Sequence, residues 1–280
     1  KNEETGITKL RNLLKKQNYK GNFEIIIIDS GSTDSTIEIC TEAEYKIIDV
    51  SNTRFSYGKS LNIGVKNAKG RIVVFISAHA IPIGTSWLEN LVGKINDEII
   101  CSYGSLVGSD KRNIFENFIW KSYYGKEGYV ISKNNSDKLT ITNSNSAYLK
   151  NYLDKHPFNE KIPFAEDRLM GMEILNNDYK IIYESNARVF HCHDFNFSRN
   201  LEVVQKSFFS NLFIQRILLK RKLNLFRIVS NLVIIIFKMI FKSVNWIFRY
   251  PKMKIDDLIK YTLSYLTGSL VGYFQFYSIQ

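Results

Sequence analysis

Cysteine is scarce in this chain of 280 residues: Cys40, Cys101 and Cys192 stand far apart, with no C-x-x-C pair among them. That excludes a disulfide framework and a cysteine-based structural zinc site, and it fits a reducing compartment. The opening residues, Lys1-Asn2-Glu3-Glu4, lack the apolar stretch of a signal peptide. No internal repeat is apparent. Histidine is almost as rare, with four residues, so any clustering of imidazoles at predicted strand ends carries weight.

What the chain does have is 45% apolar residues, enough for one substantial core with an accessory helical region, which sets disorder aside. The formal charge of +11 is uneven. Residues 201–260 hold 12 Lys and Arg against Glu202, Asp256 and Asp257. Basic regions meet polyanions, here nucleic acid, an anionic membrane surface or phosphorylated substrates.

Apolar spacing predicts a first helix over residues 3–17. Phe23 to Asp29 is a continuous β-branched run ending in a carboxylate, the pattern of a strand buried on both faces. Ser30-Gly31-Ser32-Thr33-Asp34 supplies a turn and N-cap candidates for a helix over 35–43. Strands follow at 45–50, 71–77, 99–107 and 140–149, with helices at 58–68 and around Trp87. The β-α alternation predicts an α/β domain with a mostly parallel sheet. Residues 108–140, rich in Lys, Asn, Ser and Gly, read as a long loop in which Trp120, Tyr123 and Tyr124 are candidates for stacking on a sugar. A helix over 167–175 and short strands at 179–183 and 187–191 close a domain ending near 195. Trp87 reads as core.

In an open parallel sheet, ligands gather outside the carboxyl ends of the strands. Three such ends carry polar groups: Asp29, the segment 51–57, and Ser77-Ala78-His79. A carboxylate after four isoleucines is costly to hold without a partner, which favours a ligand contact for Asp29. Ser32 and Asp34 are preferred capping residues, and capping is the stronger reading for both. In an extended chain His191 and His193 project from one face, so with His79 they are candidates for a metal or phosphate site.

Asn2-Glu3-Glu4 followed by Ile25-Ile26-Ile27-Ile28-Asp29-Ser30-Gly31-Ser32-Thr33-Asp34 resembles the family-2 inverting glycosyltransferases of the GT-A type, where such a segment surrounds the nucleotide. Residues 55–64 (FSYGKSLNIG) and 70–80 (GRIVVFISAHA) resemble matching segments of the rhamnosyltransferase-like branch. The resemblance covers about residues 1–195 and keeps the order of the motifs. It implies a GT-A-like sheet flanked by helices, with a further strand ahead of Asn2. A nucleotide-diphosphate sugar would be bound by Asp29, Ser30, Gly31, Ser32, Asp34, Lys59, Asn62, Ser77 and His79. It also implies that Glu166-Asp167 supplies the general base, with Asp167 favoured, although acidic residues also suit a first helical turn. The family's Asp-x-Asp metal position reads Ser77-Ala78-His79 here. Magnesium prefers oxygen ligands and manganese accepts imidazole, so a Mn or Mg requirement stays open, with His79, His191 and His193 as the candidate ligands.

Residues 203–250 alternate Phe, Ile and Leu with Lys and Arg, as interfacial helices do. The run 228–241 falls short of the roughly 20 apolar residues that span hydrocarbon. Residues 261–280 carry no charge and read as a packed helix or a terminal span. The expected organisation is therefore a transferase domain over 1–195 and a basic amphipathic helical region over 196–280. The expected protein is a peripheral enzyme at the cytoplasmic face of a bacterial membrane, moving rhamnose or another hexose onto a glycan or lipid-linked acceptor. A catalytically silent sugar-nucleotide or membrane binder is the alternative. Nucleic-acid binding rests on charge alone and is not expected.

Overall fold

The computed structural model describes residues 1–109, 112–194 and, beyond these, 196, 198, 201–202, 205–206, 209–210, 212, 263, 267–268 and 271. The chain divides into two compact units, one of residues 1–161 with 166–194 and the other of 162–165 with 195–280. In the second unit, Lys206 and Glu202 form an i,i+4 ion pair at 2.6 Å. Among the described residues, no helix is long and apolar enough to cross a membrane. The expectations for 203–250 and 261–280 fall almost wholly outside the described residues.

The first unit opens with helix α1 (Glu4–Leu14), which buries Ile7, Leu10 and Leu14 at helical spacing. Strand β1 (Ile26–Asp29) follows, then α2 (Thr36–Glu42), β2 (Lys46–Asp49), α3 (Tyr57–Asn67) and β3 (Ile72–Ile76). β1 and β2 pair in parallel, with Asp29 beside Asp49. The chain then forms β4 (Ile81–Pro82), α4 (Trp87–Val92) and β5 (Ile99–Val107). Next come α5 (Ile114–Tyr123), β6 (Tyr129–Ile131), β7 (Asn145–Leu149), α6 (Lys150–Lys155), α7 (Glu166–Asn176) and β8 (Lys180–Phe190). Trp87 is 1% exposed, as expected of core.

The large sheet corrects the expectation of mostly parallel pairing. Its order is β3-β7-β5-β8-β4, with β6 also on β8. Only β5 and β8 run parallel; β7 is antiparallel to both β3 and β5, and β4 to β8. A strand covered on both faces shows the same continuous apolar run whichever way it points, so local pattern carries no direction. The loop expected over 108–140 is a second correction, because helix α5 occupies residues 114–123. Asn113 caps it by accepting the Glu116 N–H.

A β-bulge lies where the β5–β8 register shifts between Gly104 and Leu106. The strands approach so closely there that a Cβ on Gly104 would sit 1.8 Å from the Ala187 carbonyl oxygen. The carbonyls freed at the bulge need donors. Buried Asn145 supplies them, its Nδ2 donating to Ala187 O at 2.8 Å and Ser105 O at 3.3 Å while its Oδ1 accepts from Trp87 Nε1 at 2.9 Å. Beyond the bulge β8 keeps its pairing through His191, whose N–H donates to Val107 O.

Candidate active site

The first loop is organised by Asp29. Its Oδ2 accepts the N–H groups of Gly31 at 2.8 Å and Ser32 at 2.7 Å, and its Oδ1 accepts the Ser32 hydroxyl at 2.5 Å. These hydrogen bonds outweigh burial and hold the carboxyl below its ordinary value. Gly31 adopts φ +88°, and a Cβ there would lie 3.1 Å from Ser51 Cβ. Glycine is needed on both counts. Asp34 accepts from Thr36 N and Oγ1 and from Glu4 N, which makes it a cap for α2. Asp29, Ser32 and Asp34 all make loop-forming bonds within the chain, as capping predicts for Ser32 and Asp34. A ligand here would meet the loop that these side chains shape, Ser30 included.

The segment Asn2-Glu3-Glu4 straps this loop down. Asn2 N donates to Ser32 Oγ, Asn2 Oδ1 accepts Thr33 N, and Glu3 N donates to Thr36 Oγ1. Glu3 then reaches the other way, its Oε1 lying 2.9 Å from His79 Nδ1. Asp29 and His79 therefore serve one rim of the unit, joined through residues 2–3.

His79 lies within a turn closed by Ala80 N donating to Ser77 O. Because Ile81 pairs antiparallel with Phe190, the chain just before β4 runs beside the chain just after β8. The Nε2 of His79 consequently lies 3.2 Å from that of His191 and 3.0 Å from that of His193. His193 is held by Glu116, whose Oε1 is 2.7 Å from Nδ1 and whose Oε2 accepts its backbone N–H. Trp120, one turn along α5, donates through Nε1 to His191 O. Tyr124 donates to Thr140 O and is pressed among Tyr103 and Tyr183. Trp120 and Tyr124, both half-buried, are thus anchored to the sheet by their polar ends, while Tyr123 is exposed.

Ser77 links this cluster to the acidic pair. Its hydroxyl donates to Ser144 Oγ at 3.0 Å. Next to Ser144, Asn143 donates its backbone N–H to Asp167 Oδ2 at 3.2 Å and its side-chain amide to Glu166 Oε1 at 3.4 Å. The Asn143 carbonyl accepts from the Ser146 and Tyr148 hydroxyls, each at 2.9 Å, which turns its amide toward Glu166. Asp167 Oδ1 accepts Arg168 N. Ala165, just ahead of α7, holds φ +64°, unusual for a residue with a side chain. Burial lifts Glu166 to about 8, helped by the adjacent Asp167 charge, and lifts Asp167 to about 6. Asp167 ionises first, because backbone N–H groups from Arg168 and Asn143 offset part of its burial.

Asn62, a candidate for the nucleotide, ties α3 to residues 158–160. Its amide donates to Phe158 O and Glu160 Oε1 and its carbonyl accepts Phe158 N. Lys59 lies in the first turn of α3, its N–H accepted by the Ser56 hydroxyl that caps the helix. The residues missed by sequence reasoning are Glu3, Glu116 and Asn143. Glu3 was visible within a motif but its partner lay 76 positions away. Glu116 sat in a stretch read as loop, and nothing local distinguishes Asn143 from its polar neighbours.

An α/β unit with a loop-bound strand end, a histidine cluster and a partly buried acidic pair is the architecture of a sugar-nucleotide-dependent transferase. Residues 1–156 match glycosyl transferase family 2, and the chain belongs to that family. It is 30% identical over 180 residues to the O-antigen chain rhamnosyltransferase WbaN of Salmonella anatum, covering 61% of this chain and 57% of that protein. With RfbN of Salmonella typhimurium it shares 26% over 181 residues, covering 61% and 58%. The chain thus spans a little over half the length of these curated relatives. Among solved structures, residues 1–349 of Staphylococcus aureus TarS align with TM-score 0.61 at 19% identity, covering 98% of this chain and 89% of that one. The Pyrobaculum calidifontis mannosyltransferase PcManGT, solved with GDP-Man and Mn2+, aligns with TM-score 0.57 at 16% identity, covering 75% and 60%. The fold is the GT-A-like α/β arrangement, with a mixed sheet.

Proposed function

We propose that this chain is an inverting glycosyltransferase that moves a sugar, rhamnose or another hexose, from a nucleoside-diphosphate donor to a surface polysaccharide or its lipid-linked precursor. The observation that carries the reading is the path Ser77–Ser144–Asn143, which ties the histidine cluster to the Glu166–Asp167 pair along one rim. In this scheme the ionised Asp167 accepts the proton of an acceptor hydroxyl as that oxygen attacks the anomeric carbon. The bond to the departing diphosphate breaks on the opposite face, and one displacement inverts the centre. Asn143 holds the Asp167 oxygen by its backbone N–H, and Glu166 remains protonated at neutral pH, so that like charges do not crowd the site. In this scheme the loop shaped by Asp29 and Gly31 lines the nucleotide end, its amides held in place by Asp29 and Asn2. A divalent ion held by His79, His191 and His193 would supply positive charge to the diphosphate.

The polysaccharide acceptor is supported by the names of the Salmonella relatives, which act on O-antigen chains. Work at the cytoplasmic face of the membrane is supported by the basic, aromatic-rich sequence of residues 201–260. The test is a donor panel of dTDP-, UDP- and GDP-sugars with glycan and lipid-linked acceptors, read by mass spectrometry for the chain and for Asp167→Asn. Transfer by the chain with loss in the variant is the expected result. Equal transfer by both refutes the site. Retention on anionic liposomes, without binding to duplex DNA, is expected alongside.

A further inference from the structure

Phe55 and Tyr57, at the start of α3, are 52% and 43% exposed and pack edge to face, their ring centroids 5.0 Å apart and their planes at 79°. One exposed ring is ordinary, but two rings held together make a continuous apolar surface facing water. Ser56 sets their arrangement. Its backbone is extended, at φ −148° and ψ 137°, and its hydroxyl donates to Glu160 O at 2.9 Å while accepting Lys59 N as the cap of α3. Neighbours in extended chain project opposite to the residue between them, so turning Ser56 inward leaves both rings outward.

The segment that carries the pair is fastened to both ends of the reaction. A helix that follows a strand begins at the strand's carboxyl end, and β2 runs parallel to β1, so α3 starts at the end where β1 finishes in Asp29. Ser51 lies against the turn there, its Cβ 3.1 Å from where a Cβ on Gly31 would sit. On the other side, a Cβ on Gly58 would lie 2.4 Å from Asn159 O, and Asn62 grips both backbone polar groups of Phe158. The Phe158 ring packs 5.7 Å from that of Tyr148, whose hydroxyl donates to Asn143, the residue that holds Glu166 and Asp167. The rings thus stand on a segment braced between the nucleotide loop and the support of the base.

We propose that Phe55 and Tyr57 form an acceptor subsite, a platform on which a pyranose ring of the glycan stacks. The inference rests on the transferase reading and names residues that hold its second substrate. One face of a galactose, mannose or 6-deoxyhexose ring carries mainly C–H groups. Laid on an aromatic face, it sheds water from both surfaces and sets weakly positive hydrogens against the negative π face. Two planes near a right angle form a step, so a puckered sugar lying on one ring abuts the other, whereas a flat nucleobase would use one plane only. Exposed Arg54 next to Phe55 supplies donors for the hydroxyl edge. The open position suits a glycan that enters from solvent.

The experiment is saturation-transfer NMR of the full chain with methyl rhamnoside, methyl galactoside and methyl mannoside, each with and without UDP, beside calorimetry of UDP and dTDP. The expected result is saturation of the C–H protons on one face of at least one glycoside. Phe55→Ala with Tyr57→Ala should weaken that binding about tenfold, each single change should weaken it less, and Phe55→Trp should keep it. Both rings are exposed, so the urea midpoints of these variants should match the parent's, separating a lost platform from a lost fold. No saturation of any glycoside by the parent, or equal binding by the double variant, overturns the proposal. A fall in UDP or dTDP affinity in the double variant also overturns it, because the occupant is then the nucleobase. Glycoside binding through these rings without sugar transfer from any donor would sink the transferase reading and leave the platform standing. Transfer whose acceptor KM is unmoved in the double variant would do the reverse.

Discussion

Glu166→Gln is the most informative single change, because it separates what burial does to the acidic pair from what catalysis needs. Glu166 is 7% exposed and its carboxyl is lifted from 4.5 to about 8. A carboxyl raised on folding favours the folded chain while protonated. Its contribution is complete below pH 4.5 and is lost as the pH climbs through about 8, since the unfolded chain releases that proton earlier. At about 1.4 kcal/mol per pH unit, the loss is capped at roughly 5 kcal/mol. Glutamine keeps the shape and never ionises. The variant and the parent should therefore have similar stability at pH 4.5, with the variant gaining progressively up to pH 9. For a chain of this size that gain would reach on the order of 10 °C in Tm. The assay is urea and thermal unfolding of both proteins across pH 4.5–9. Parallel stability curves would refute the burial argument. In the same variant the acid limb of kcat/KM should stay near the Asp167 value of about 6, because that limb belongs to the base.

Asp167→Asn removes the base and should lower kcat by about 10²- to 10⁴-fold with little change in donor KM, as steady-state kinetics would show. Gly31→Ala forces a side chain into φ +88° against Ser51 and should cost about 1–3 kcal/mol, with nucleotide affinity falling as the loop distorts; calorimetry of UDP or dTDP binding checks it. Asn62→Ala strands the Phe158 backbone polar groups and should cost about 1–3 kcal/mol, appearing in the unfolding midpoint and not in donor KM. Tyr148→Phe removes a hydroxyl that aims Asn143. It should weaken stability by about 1 kcal/mol and also lower kcat, read by comparing the two against Asn143→Ala.

The chain's own residues determined the elements and the candidate positions. The isoleucine run before Asp29 specifies a strand, Ser30 to Asp34 a turn, and the apolar spacing of 3–17 and 167–175 two helices, because these signals are local in φ/ψ and in hydrophobic period; burial is not local, and Ile26, Ile27 and Ile28 are half-buried where a strand covered on both faces was expected. His79, His191, His193 and the Glu166–Asp167 pair also stood out by residue type and motif. Tertiary structure alone decided strand direction, since β7 reads the same in either sense. It decided that Asp29, Asp34 and Asn62 spend their polar atoms on the chain itself. It also brought Glu3 and Glu116 to the imidazoles, joining residues 76 and 77 positions apart, and put Asn143 between two carboxylates. A hydrogen bond across that span depends on how the β4–β8 register and the packing of α5 bring remote chain together, and no window along the sequence contains that information.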